Sequence, residues 1–271
     1  MKLLLSLLAS VLPFSAMSFG ATERVVVKGS NTLGASLVPR LAEAYRATGK
    51  KVRFSISAEG SATAFPALAA GKADIGASSR AMTAQEAALF HGSSAGLQQT
   101  VLCLDGIAVV VNGANPLKGL TKAQVRQILT GDIRDWSAVG GARGPISVFT
   151  RNAVSGTGLE LQRMAMAQRA YAPGSRVLPT NEKVAEQVGR TPGGIGYVSL
   201  AFTHHAGTKV VPVGGVFPSE KAVRGGSYPY RREVYLFTTK NAPAAAKDFV
   251  AFCTGAAAQK VVRDAGFVPV K

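Results

Sequence analysis

The sequence predicts an α/β fold built on a largely parallel sheet, and three observations carry that prediction. Short β-branched runs alternate with stretches of helical period. The turns leading from strand to helix are rich in Gly, Ser, Thr and Asn. Of the 271 residues, 47% are hydrophobic and 17% charged, the balance of a globular chain rather than a disordered one.

The first unit reads strand, helix, strand, helix, strand. "RVVVKGS" (24–30) is a β-branched strand that ends in a turn. "LGASLVPRLAEAYRATG" (33–49) carries an apolar stripe through Leu37, Leu41, Ala44 and Tyr45 and stops at Gly49. "KVRFSIS" (51–57) alternates as a strand, "SATAFPALAAG" (61–71) returns to helical period, and "ADIGASS" (73–79) is the third strand. This βαβαβ order implies parallel pairing through right-handed crossovers. "LDGIAVVVN" (104–112) is apolar enough to be buried on both faces. "TKAQVRQILTG" (121–131) is a helix with a Thr cap and a Gly stop.

"PISVFT" (145–150) is a strand that runs into "RNAVSGTG" (151–158), with helices over 159–171 and 181–191. Strands follow at 193–200 and 232–239, then a helical run over 243–266, broken near Gly255. There is no internal repeat.

The N-terminus, "MKLLLSLLASVLPFSAMSFGATE", has one early lysine, a short apolar run and then small residues. That is the pattern of a secretory signal peptide, residues 1–21, cleaved near 18–22. The apolar run is too short to span a bilayer, and no cysteine near the cleavage region offers a lipid anchor. The expectation is a soluble, exported protein. A formal charge of +16 favours anionic partners. The basic residues are scattered and follow no nucleic-acid-binding motif, so no nucleic-acid partner is expected. Cys103 and Cys253 allow at most one disulfide; two buried thiols are the alternative.

In open α/β sheets, ligands sit where strands end and helices begin. Three such turns, "KGSNTLG", "AEGSATA" and "RNAVSGTG", combine hydroxyls with glycine, and "GASSR" closes a strand in the same way. Free N–H groups at a helix start, with the helix dipole behind them, suit an anion. A lone arginine four residues before Ser-Gly-Thr supplies the charge.

Taken in order, "GSNTLGASLVPRLAEAY", "TGKKVRFSISAEGSATA", "GKADIGASSR", "DGIAVVVNGANPLKGLTKAQVRQILTGDIRDWSAVGG", "RNAVSGTG" and "RTPGGIGYVSLAF" resemble the periplasmic phosphate-binding proteins. These are type II periplasmic binding proteins, the solute receptors of Pst-type ABC transporters. The resemblance implies a two-lobed flytrap with the ligand in the cleft between lobes. Lobe 1 would be residues 22–101 plus 231–271 and lobe 2 residues 102–230, with hinge crossings near Leu102–Asp105 and Arg231–Tyr235. It implies inorganic phosphate as ligand, held by Thr32, Leu33, Ser61, Ser79, Arg151, Ser155, Gly156 and Thr157. It also implies a monomer with no cofactor, which delivers its ligand to an ABC transporter permease in the inner membrane.

Two positions depart from the familiar pattern of that family. Ser79 stands where well-known members carry an aspartate that accepts the proton of hydrogen phosphate. Serine both donates and accepts, so phosphate binding survives while the repulsion of fully ionised sulfate weakens. Ala153 stands where an acid often neighbours the arginine. Glu59 is a candidate replacement acceptor or a solvated surface residue.

The alternatives are a receptor for another oxyanion (sulfate, molybdate or arsenate), a sensing or surface-attachment role, and a phosphate-ester hydrolase. A hydrolase needs a general base beside its nucleophile. The turns contain no histidine, and Glu59 is their one carboxylate. His204 and His205 are adjacent and face opposite ways on an extended chain, so no metal site is expected there. Asp132 and Asp135 read as turn caps, and Trp136 as packing on a surface helix.

Overall fold

The computed structural model describes residues 22–91 and 96–270; the expected leader lies outside the described residues. The strands are β1 (Glu23–Gly29), β2 (Val52–Ser57), β3 (Ile75–Ser78), β4 (Leu97–Asn112), β5 (Ser147–Arg151), β6 (Arg176–Leu178), β7 (Gly194–Ser199), β8 (Thr208–Val211) and β9 (Arg231–Thr239). The helices are α1 (Val38–Ala47), α2 (Ala64–Ala69), α3 (Ala84–Ala88), α4 (Lys122–Thr130), α5 (Gly156–Ala165), α6 (Asn181–Arg190), α7 (Glu220–Arg224), α8 (Ala244–Cys253) and α9 (Ala256–Asp264).

The sheet order is β2-β1-β3-β9-β4-β7-β5-β6, with β8 also on β4. As the βαβαβ reading requires, β1 pairs in parallel with both β2 and β3. The two long strands β4 and β9 tie the molecule together. Leu97–Gly106 of β4 lie antiparallel to β9, whereas Ile107–Val111 pair with β7. The change of partner therefore falls between Gly106 and Ile107, just past the crossing expected at Leu102–Asp105. On β9 it falls opposite Arg231, at the start of the other expected crossing.

Each half-sheet has its own core, which is why the fold divides around β4 and β9. In the first half, Leu37, Leu41 and Tyr45 pack with Phe249 of α8 and Val262 of α9 against β1 and β9. Tyr45 and Phe249 meet edge to face at 5.5 Å, and Phe54 tilts on Phe249 at 4.6 Å. In the second half, Val125, Ile128 and Leu129 of α4 cover Val109, Val111 and Ile195. Thr121 caps α4 in a reciprocal box with Gln124, and Gly131 ends it with left-handed φ, as the sequence implies.

The differences from the sequence reading have physical causes. β4 starts at Leu97, not 104, because its first half is an edge strand whose exposed Gln98 and Gln99 break the apolar run. α5 starts at Gly156, not 159, because Ser155 caps it by accepting from the Gly158 amide. α5 also ends at Ala165, before Ala167 and Gln168 turn to positive φ. Trp136 is buried in the second core, in one cluster with Val125, Ile128 and Leu129 of α4, and donates Nε1–H to the Gly193 carbonyl. Asp135 caps the short helix after it, and Asp132 accepts from Thr130 and Arg169. The short α3, β6, α7 and β8 span too few residues to show a period. Cys103 and Cys253 are both buried and unbridged in the first core, the second of the two readings left open.

Candidate functional site

Every hydroxyl-rich turn singled out in the sequence lies where the two halves meet. β1 ends at Gly29, and its chain turns through Ser30, Asn31 and Thr32 into a helix whose next turn, Leu33–Leu37, is a π-helix. Such π turns often mark functional sites. β2 leads to Ser61, β3 to Ser79, and β5 ends at Arg151 just before the Ser155 cap. Ser30, Thr32, Ser61, Ser79, Arg151, Ser155 and Thr157 are all buried.

The halves touch directly here. Thr32 and Thr157 hydroxyls are 3.0 Å apart, Asn181 Nδ2 donates to Asn31 Oδ1 at 2.9 Å, and the Ala62 amide donates to the Val154 carbonyl at 3.2 Å. The contact leaves no space for a side chain at residue 156. A Cβ on Gly156 would collide with Ser61 Oγ and lie 2.8 Å from Ser79 Oγ. Close approach, not backbone conformation, thus requires glycine there.

Counting hydrogens shows what the turns can offer. Ser61 Oγ accepts from the Ser79 amide (2.9 Å), and Ser79 Oγ accepts from Ser30 Oγ (3.0 Å). The Ser61 and Ser79 hydroxyls then share one bond of 3.1 Å between two hydrogens, so one hydrogen is left over. The Gly156 and Thr157 amides, in the first turn of α5, have no intrahelical acceptor. The Leu33 amide is already committed, at a long 3.3 Å, to Ser30 Oγ. The site is dominated by donors.

Arg151 provides the charge. It is 5% exposed, and Nη2 donates to the Pro179 carbonyl at 2.8 Å. Among the described residues, its Nε and Nη1 are buried with no partner. Burial pushes this guanidinium down to about 10, with Arg232 contributing in the same direction. Among the described residues no carboxylate forms a salt bridge with it, and the neighbouring position 153 is an alanine. A buried cation with two idle donors costs stability until an anion reaches it. Its backbone is fixed by Tyr197, whose hydroxyl accepts from the Arg151 amide at 3.1 Å and bonds Thr150 at 2.8 Å. Tyr171 stacks on Tyr197 at 5.9 Å and donates to the Gly158 carbonyl.

A second guanidinium, Arg232, was not found by sequence reading. It sits opposite Asp105 in the β4–β9 ladder and is locked to it through Nε (3.0 Å) and Nη2 (2.6 Å). Asp105 Oδ1 is taken as well, by Ser199 Oγ and the Leu200 amide. The one carboxylate buried here therefore has both oxygens occupied. The signal was available: an aspartate inside the apolar run "VLCLDGIAVVVN" must find a partner. Asn31 and Asn181 carry no local signal that marks them as partners across the site. Glu59 is exposed and bonds Ser57 Oγ, outside the site. Arg80 is bound bidentately by Glu86, whose carboxylate is disfavoured by burial but held below its usual range by Arg80 and Thr83.

Residues 18–257 match the model of a PBP superfamily domain. The chain is 30% identical to phosphate-binding protein PstS of Pseudomonas aeruginosa, over 96% of this chain and 87% of that one. It is 26% identical to phosphate-binding protein PstS of Bacillus subtilis, over 92% and 82% respectively. Among solved structures it resembles a Clostridium perfringens substrate-binding protein assigned to a phosphate ABC transporter, solved with bound phosphate. There the TM-score is 0.85 and the identity 26%, covering 92% of this chain and 100% of that chain. An ABC-type phosphate transport receptor from Vibrio cholerae gives a TM-score of 0.75 at 26% identity, covering 90% and 99%.

Proposed function

We propose that this chain, which belongs to the PBP superfamily and to the PstS-like phosphate-binding proteins within it, captures inorganic phosphate between its two halves. The single observation that carries the reading is Arg151, buried with two idle N–H donors in a setting of hydroxyls with hydrogens to spare. Phosphate offers four oxygens and up to two negative charges, which match a fork of guanidinium donors and converging hydroxyls. The ligand contacts are Thr32, Leu33, Ser61 and Ser79 from one half and Arg151, Ser155, Gly156 and Thr157 from the other.

Capture works through closure. The Thr32–Thr157, Asn31–Asn181 and Ala62–Val154 bonds join the halves and form only when they close. Each neutral bond contributes roughly 0.5–1.5 kcal/mol net. The buried Arg151 opposes that gain, so an anion that satisfies it shifts the balance towards the closed form. The lobes are residues 22–101 plus 231–271 and residues 102–230, and the closed shape is what a permease of an ABC transporter reads. The protein acts in the periplasm as a monomer.

One observation favours a wider ligand range. Asp105 has both oxygens occupied and residue 79 is a serine, so neither position offers a free carboxylate to repel a fully ionised oxyanion. A hydrolase gains no support, since that locked carboxylate cannot act as a base. Calorimetric titration of the mature, dialysed protein with phosphate, arsenate, sulfate and molybdate tests the reading. Saturable one-to-one phosphate binding supports it, and binding of sulfate or molybdate without phosphate overturns it.

A further inference from the structure

Six buried residues form a closed ring of hydrogen bonds that runs through both halves. Arg232, anchored on Asp105, donates from Nη1 to Thr157 Oγ1 at 3.1 Å. Asp105 accepts from Ser199 Oγ at 2.9 Å, and the Ser199 amide donates to Asn181 Oδ1 at 3.1 Å. Asn181 Nδ2 donates to Thr32 Oγ1 at 3.1 Å, and the Thr32–Thr157 contact closes the ring.

The ring fixes what the two threonines can do. Each hydroxyl oxygen has two lone pairs and one hydrogen. One lone pair on each already receives an N–H, from Arg232 or from Asn181. In the bond between them, whichever oxygen accepts has both lone pairs filled. Its own hydrogen then has no acceptor within the ring and is available to an anion. Without the Arg232 donor, Thr157 regains a lone pair and can present an acceptor, which repels a phosphate oxygen.

Arg232 also does more than neutralise Asp105, for which Nε and Nη2 suffice. Its Nη1 holds the Ser79 carbonyl in the first half at 3.0 Å while bonding Thr157 in the second. The arginine is 4% exposed and bridges both ligand-bearing turns from the strand pair that joins the halves.

We infer that Arg232 is a positioning residue for anion capture: by filling a lone pair on Thr157 it keeps the Thr32–Thr157 pair offering a hydroxyl hydrogen rather than an acceptor, and it ties that arrangement to closure. This rests on the phosphate reading above. The test is a double-mutant cycle with Arg232→Lys and Thr157→Val, read by calorimetric phosphate affinity with urea unfolding alongside. Lysine keeps the charge beside Asp105 but cannot make the fork. In the wild-type background Arg232→Lys should weaken phosphate binding about tenfold or more, a charged hydrogen bond's worth. In the Thr157→Val background the same change should alter affinity less than about twofold, because the hydroxyl it positions is gone. Equal losses in both backgrounds, or no loss in either, overturn the inference. If Arg232→Lys does not fold, Asp105→Asn replaces it in the cycle, keeping the guanidinium but loosening its anchor, with the same pattern expected. Failure of the unmutated protein to bind phosphate would instead sink the phosphate reading itself.

Discussion

Replacing Arg151 by methionine should separate binding from stability in a way few site mutations do. The wild-type guanidinium has Nε and Nη1 idle and Nη2 on the Pro179 carbonyl. Two charged hydrogen bonds to phosphate contribute about 1.5–3 kcal/mol each, so their loss should weaken binding about 10²- to 10⁴-fold. Stability without ligand should move the other way. Holding the group near 10, below its ordinary value, corresponds to about 3 kcal/mol against its charged form in the closed protein. Methionine removes that penalty but leaves the Pro179 carbonyl unpaired, which costs about 1–3 kcal/mol. The ligand-free variant should therefore match the wild type or exceed it by up to about 2 kcal/mol. Urea unfolding with and without phosphate reads both quantities, since a ligand stabilises by RT ln(1 + [L]/Kd). The wild type should gain stability in phosphate and the variant should not. A variant that is markedly less stable without ligand, or that still gains in phosphate, would refute the view that Arg151 is an idle cation awaiting an anion.

Gly156→Ala should weaken phosphate binding by about two orders of magnitude or more, read by calorimetry, because the added Cβ meets Ser61 and Ser79 where the halves close. Phosphate affinity should not fall through loss of the Arg151 charge up to about pH 9, and should drop above pH 10 as that guanidinium loses its proton. Because its pKa in the fold lies below the unfolded value, its destabilising effect is in force below about pH 10 and fades as the pH rises towards the unfolded value. Equilibrium dialysis across pH 8–11 checks this, and a steep loss of affinity below pH 9 would implicate another group. Burial pushes both thiols upward, so Cys103 and Cys253 should resist a thiol reagent in the native protein and react as two thiols once unfolded. No reactive thiol after unfolding would mean a disulfide.

The turns of the site were legible because hydroxyls and glycines at strand ends announce themselves locally. Arg151 follows an apolar strand, and Ser155, Gly156 and Thr157 lie within six residues of it. Their neighbours were legible only in part. Arg232 and Asp105 meet through the register of β4 on β9 across 127 positions, which no local pattern encodes. Asn31 and Asn181 are 150 positions apart, and each alone reads as a helix start. The same limit explains the fold. The parallel βαβαβ unit follows from periodicity, whereas the partner change at Gly106–Ile107 depends on tertiary pairing. The edge half of β4 went unread because exposure removes the apolar pattern that marks a strand.

The most direct test of the account is a crystal structure of the mature protein grown with phosphate. The account predicts one phosphate between the halves, with Arg151 Nε and Nη1 both within hydrogen-bond distance of its oxygens and Thr32, Ser61, Ser79, Ser155 and Thr157 around it. Phosphate bound elsewhere on the chain, or a site closed over phosphate with those two nitrogens still idle, would contradict it.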